Sequence, residues 1–71
     1  MIVEHTEGKI TRKWRLTTII TRLGFPVAVR AVRFDIDNEP ISVSLNYKRV
    51  LKENKLTDAD LSHLPKHEKV D

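Results

Sequence analysis

The sequence predicts a small α+β fold, an antiparallel sheet with short helices in the order ββαββα. Three observations lead there. Residues 41–47 alternate apolar Ile41, Val43, Leu45 and Tyr47 with Ser42, Ser44 and Asn46, the period of a half-buried strand. Gly8 sits in a short polar stretch between two runs of strand character. Thr57, with Asp60 three residues on and Leu56 and Leu61 flanking, has the signature of a helix start.

Taken in order, Thr6-Glu7-Gly8-Lys9 reads as a hairpin turn in which Gly8 takes positive φ. It joins strands over 2–5 and 9–14, with Ile10 and Trp14 on one face. Leu16, Ile19, Ile20 and Leu23 then fit the i, i+3, i+4, i+7 stripe of a helix. Gly24 follows as a terminating residue, and Pro26 bars continuation. A short helix over 16–23 is the expectation, against the strand preference of the β-branched run Thr17 to Thr21.

A central hairpin comes next, with strands over 27–36 and 41–47. Asp37-Asn38-Glu39-Pro40 supplies its turn. Val27 and Val29 fall out of phase with Val32, Phe34 and Ile36, which predicts a bulge near Arg30-Ala31. Residues 47–54 are read as a further short turn of helix. The C-terminal helix is placed over 58–64, with Asp58 and Asp60 at the positive end of its dipole and Pro65 ending it.

At 71 residues, one domain over 1–65 is expected, with 66–71 as a flexible tail. Without cysteine, no disulfide or thiolate zinc site can brace the fold. A core this small barely offsets chain entropy, so a homodimer is expected. The start Met1-Ile2-Val3-Glu4-His5 lacks the basic and apolar regions of an export signal. No apolar run approaches the roughly 20 residues of a membrane helix. A cytoplasmic address follows, with no membrane partner.

The net charge of +3 is unevenly spread. Residues 1–34 carry seven basic side chains against Glu4 and Glu7, whereas residues 35–71 carry six against eight acids. Five of the six arginines lie in the first part. Arginine's planar fork suits phosphate and carboxylate, so the N-terminal half is the one that leans towards an anionic partner.

Catalytic and metal constellations find little support. His63 and His67 have the helical spacing of a metal pair, but Pro65 stands between them. Asp35, Asp37, Asn38 and Glu39 open like a calcium loop but lack its glycine and distal Glu, and read better as turn residues. Ser42 and Ser44 have no GxSxG context, and two glycines allow no phosphate-binding loop. The expectation is a protein that is not an enzyme and carries no cofactor or metal.

What remains is the basic set Arg12, Lys13, Arg15, Arg30 and Arg33. With Ile10 and Trp14 inward, Lys9, Lys13, Arg15 and Arg33 share a polar sheet face with Ser42, Ser44 and Asn46, and Arg12 is the exception to that alternation. The set suggests a small regulator that binds nucleic acid mainly through phosphates. A helix-turn-helix over 17–33 is a competing outline, weakened by a valine-rich second helix. The alternative function is a protein-binding adaptor or inhibitor docking on a larger partner through a strand edge or the C-terminal helix.

Overall fold

The structure, a computed structural model, describes residues 1–33 and 42–70. It is a mostly antiparallel five-stranded sheet with one α-helix. The strands are β1 (Ile2–Glu7), β2 (Ile10–Arg22), β3 (Phe25–Arg33), β4 (Ser42–Asn46) and β5 (Lys66–Glu68). The helix α1 (Tyr47–Asn54) follows β4 directly, and a 3-10 turn (Asp58–Leu61) precedes β5. Strands β1 to β4 run side by side in chain order. The order ββαββα is therefore not the observed one, although the α+β class is.

The first difference is at 16–23, which continues β2 instead of forming a helix. The run Thr17-Thr18-Ile19-Ile20-Thr21 keeps its χ1 freedom better in a strand than against a helical turn. The helix-like spacing has a specific origin. In the β2–β3 ladder Leu16 faces Ala31 and Thr18 faces Arg30, so Thr17 is an extra, bulged residue. Leu16 and Ile19 then fall on one face three residues apart, and both are buried. A strand with a bulge has imitated the i, i+3 stripe.

The bulge expected near Arg30-Ala31 lies elsewhere. On β3 the ladder passes from Ala28 to Pro26 and skips Val27. One bulge on each strand restores the pairing between them. Val29 and Ala31 consequently face the core, while Val32 turns to the other side, half-buried. The central hairpin is present as the β3–β4 pair, from Ala28 opposite Asn46 to Val32 opposite Ser42. Phe34, Ile36 and the turn at 37–40 lie outside the described residues.

The core lies on one side of the sheet. Val3, Trp14, Leu16, Ile19, Val29, Ala31 and Leu45 meet Tyr47 and Val50 of α1 and Leu61 of the 3-10 turn. Ile10 shares Trp14's phase but is more than half exposed at the end of its strand. The helix begins at Asn46, whose Oδ1 accepts the Arg49 amide at 3.0 Å. It ends at Lys55, in the left-handed region at φ 53°.

Residues 57–64 close with i to i+3 bonds instead of forming a helix over 58–64. The amides of Asp60, Ser62 and Leu64 donate to the carbonyls of Thr57, Ala59 and Leu61. The start signal is real, since the Asp60 carboxylate accepts from the Thr57 amide at 2.8 Å. Pro65 then ends the turn, and its carbonyl accepts the Ile19 amide at 2.8 Å. From there β5 pairs in parallel with β2, Ile19 to Thr21 opposite Lys66 to Glu68. The segment expected as tail thus begins with a strand. It fills the stretch of β2's edge that β1, which pairs with residues 10–15, leaves uncovered.

Candidate nucleic-acid interface

Strand alternation and register decide which side chains share the sheet face away from α1. On β2 that face carries Lys13 and Arg15, and beyond the bulge Thr18, Ile20 and Arg22. Opposite them on β3 stand Val32, Arg30 and Ala28, and on β4 Ser42 and Ser44, whereas Asn46, expected on this face, turns its amide to cap α1. His67 of β5 lies beside Ile20. Lys69 joins the same surface, lining a depression with Ile20, Ala28, Arg30, Ser44 and His67. Its amide donates to the Thr21 carbonyl at 2.7 Å, which fixes the chain there.

Of the five basic residues singled out by sequence, the structure brings Lys13, Arg15 and Arg30 together on this face. Arg12 and Arg33 are not with them. Arg12 lies opposite His5 and Arg33 opposite Trp14, both on the helix side. The sequence reading turned Arg33 outward through a wrong phase for β3. Arg22, His67 and Lys69 were missed, the first because its segment was read as helix and the other two because β5 was read as tail. Strand phase carried through the Thr17 bulge is the signal that would have found Arg22.

Acidic residues are unequally placed. Of the six described ones, Glu4, Glu7, Glu53, Asp58, Asp60 and Glu68, only Glu4 shares the open face, opposite Lys13. Among the described residues the face thus carries Lys13, Arg30 and Lys69, together with Arg15 and Arg22, which already have partners, and one carboxylate. Hydroxyl groups of Thr18, Ser42 and Ser44 stand between them. Such a surface offers charge for phosphates and neutral donors for their remaining oxygens.

The helix side is occupied by self-satisfied polar groups. His5 is buried, its Nδ1 at 2.8 Å from Glu53 Oε1 and its Nε2 at 3.1 Å from Glu7 Oε1. Burial pushes the Glu53 carboxyl up, but the Thr6 amide, the His5 ring and Arg49 together hold it below its ordinary value. Asn54 meets the Glu4 backbone with both amide atoms, accepting from the N–H and donating to the C=O at 2.9 Å each. Glu53 Oε2 accepts the Thr6 amide at 3.2 Å, and Arg49 donates to the Thr6 carbonyl. The side chains of α1 thus take the place of a neighbouring strand along the outer edge of β1.

Two further groups complete the polar inventory. The Tyr47 hydroxyl donates to Asp58 Oδ1 at 2.6 Å. Desolvation and this carboxylate together push the phenol up to about 12. Glu68 accepts from the Gly24 amide and the Thr21 hydroxyl, both at 3.0 Å. The Gly24 N–H leads in holding its carboxyl below the ordinary range, outweighing desolvation.

Among the described residues no cluster of three or more His, Asp or Glu is arranged to hold a metal ion. The calcium-like run at 35–39 lies outside the described residues. No described helix is long and apolar enough to cross a membrane. In comparisons with known proteins, no family model matches this chain, and neither a curated protein nor a solved structure matches it.

Proposed function

We propose that this protein is a small, non-enzymatic, cytoplasmic regulator that binds nucleic acid through the open sheet face, mainly by phosphate contacts. The observation that carries the reading is the basic character of that face, where Lys13, Arg30 and Lys69 stand with the already partnered Arg15 and Arg22 and Glu4 is the one described carboxylate. Lys13 and Arg15 are two residues apart on one strand, roughly 7 Å, close to the phosphate spacing along a nucleic-acid strand. Arg30 sits on the neighbouring strand, with Ser44 beside it. Among the described residues no aromatic ring stands in the middle of the face, so the contact is to backbone more than to sequence. A homodimer belongs to this reading, since two copies would double a small charged surface.

The test is fluorescence anisotropy with labelled DNA and RNA over a salt series. With about four phosphates neutralised, the slope of log K against log salt is expected near −3 to −4. Changing Lys13, Arg15 and Arg30 to Glu together should abolish binding with the fold intact by circular dichroism. Arg12→Glu and Arg33→Glu, on the other side, should weaken it far less. Salt-insensitive binding, or none at micromolar concentration, would overturn the reading.

One observation favours the adaptor alternative. The groove between the β2–β3 turn and α1, lined by Phe25, Val27, Tyr47 and Leu51, is apolar enough to receive a partner's side chain. Binding through it would be insensitive to salt.

A further inference from the structure

The β2–β3 turn is built in a way that stability alone does not account for. The two central residues, Leu23 and Gly24, both have positive φ, 53° and 83°, the pattern of a two-residue type I′ turn. That turn favours Asn, Asp or Gly at its first position, because an ordinary side chain strains the left-handed backbone. Here the position holds leucine, 85% exposed. Phe25 beside it is 72% exposed. A large apolar side chain has been placed where it is both strained and in water, and strain of that kind gathers at functional sites.

The tip is also braced. Glu68 accepts the Gly24 amide, and the Lys69 amide pairs with the Thr21 carbonyl, so the C-terminal strand holds the turn from its flank. Phe25 pairs with Arg22 across the ladder and also borders the groove beside α1, so the tip stands at the rim between that groove and the face that carries Arg30 and Lys69. The apolar tip and the cationic surface are continuous. Both strands of the hairpin extend beyond β4, whose last partner on β3 is Ala28.

We infer that Leu23 and Phe25 form an apolar wedge that enters between stacked base pairs of duplex nucleic acid, while the cations behind it hold the flanking phosphates. This rests on the phosphate-binding reading above and specifies what the complex does to its ligand. Insertion of apolar side chains at a base step unstacks it and bends the duplex, and the cost is met by the additional backbone contacts that bending allows. Pyrimidine–purine steps, the easiest to unstack, are the preferred target. Alone, the Leu23–Phe25 tip would suit a lipid surface or an apolar pocket equally. The cations Arg30 and Lys69 on the adjoining face are what select a phosphate-bearing ligand.

The experiment uses a short duplex with 2-aminopurine at a central TA step and a fluorophore pair at its ends. The comparison is between the wild-type chain and the double variant Leu23→Asn, Phe25→Thr. Asn suits the left-handed position and Thr suits a strand, so the fold is kept. Wild-type binding should raise 2-aminopurine emission and shorten the end-to-end distance. The variant should bind at least about tenfold more weakly with an unchanged salt slope, and produce neither signal. Salt-sensitive wild-type binding without either signal, or a variant that retains both, overturns the wedge and leaves phosphate binding standing. Absence of wild-type binding overturns both. Loss of binding only in the Lys13, Arg15 and Arg30 variant, with the tip variant unaffected, again removes the wedge alone.

Discussion

Replacing Tyr47 by Phe removes one oxygen atom and, with it, the hydroxyl that links the start of α1 to the 3-10 turn. The residue is 4% exposed, and its hydroxyl donates to Asp58 at 2.6 Å. A hydrogen bond to a charged group contributes roughly 1.5–3 kcal/mol, and Asp58 is exposed enough to be rehydrated, so a loss of about 1–2 kcal/mol is expected at neutral pH. The same bond makes a sharper statement at high pH. A phenol raised to about 12 is favoured in its protonated form by the fold, which corresponds to roughly 2–3 kcal/mol. Because the folded value lies above the unfolded one, this contribution is complete below about pH 10 and is lost as pH rises through about 12. Trp14 is the only tryptophan and Tyr47 the only tyrosine, so each has its own signal. Urea unfolding followed by Trp14 emission, from about pH 8 to about pH 12, should show wild-type stability falling towards that of Tyr47→Phe. Lysines also titrate near 10.4, but they do so in both proteins and cancel in the difference. A tyrosinate absorbance midpoint near 10, or a stability difference that does not change with pH, would refute the argument.

Other outcomes follow from the same geometry. Leu23→Asn alone should raise the melting temperature, stabilising by about 0.5–1 kcal/mol through relief of left-handed strain; a loss of stability would mean that Leu23 packs on something essential to the fold. Deleting residues 66–71 removes the β5 ladder and the Lys69–Thr21 bond, backbone bonds worth roughly 0.5–1.5 kcal/mol each. It should cost more in urea than Thr57→Ala, and the reverse ranking would mark 66–71 as dispensable. In acid, Glu53 and Glu68 both titrate below their ordinary value. Their contribution is therefore present above the usual carboxylate range and lost as pH falls through the folded values. Glu53→Gln should flatten that part of the acid unfolding curve.

The sequence was most legible where one rule acted alone. The alternation in 41–47 produced β4 and the inward facing of Val43, Leu45 and Tyr47, and Gly8 marked a turn that exists. It was least legible where two rules competed. In 16–23 a helical stripe and a β-branched run pointed in opposite directions, and the stripe was an effect of the Thr17 bulge. Bulges are not encoded in the local pattern, since they are set by what the opposite strand requires. The C-terminal strand failed for another reason: three polar residues, all exposed, carry no burial period, and β2's uncovered edge is what recruits them. Both failures passed directly into the site. Lys13, Arg15 and Arg30 share the open face, Arg22 and Lys69 were lost with their elements, Arg33 was turned to the wrong side, and Arg12, the exception to the alternation, lies on the helix side.

The way Asn54, Glu53 and Arg49 occupy the backbone of β1 also governs how far these chains can assemble. A sheet grows by adding strands at its margins, and each newcomer normally supplies a fresh margin for the next. Here one margin is already sealed by the protein's own helix, and the middle strand's edge is shared out between β1 and β5. Among the described residues β4 and the three-residue β5 each keep a strand partner on one side alone. Two copies meeting at β4 would cover that edge in both, leaving each only the three-residue β5 as an open margin, too short a template to carry growth into a fibre.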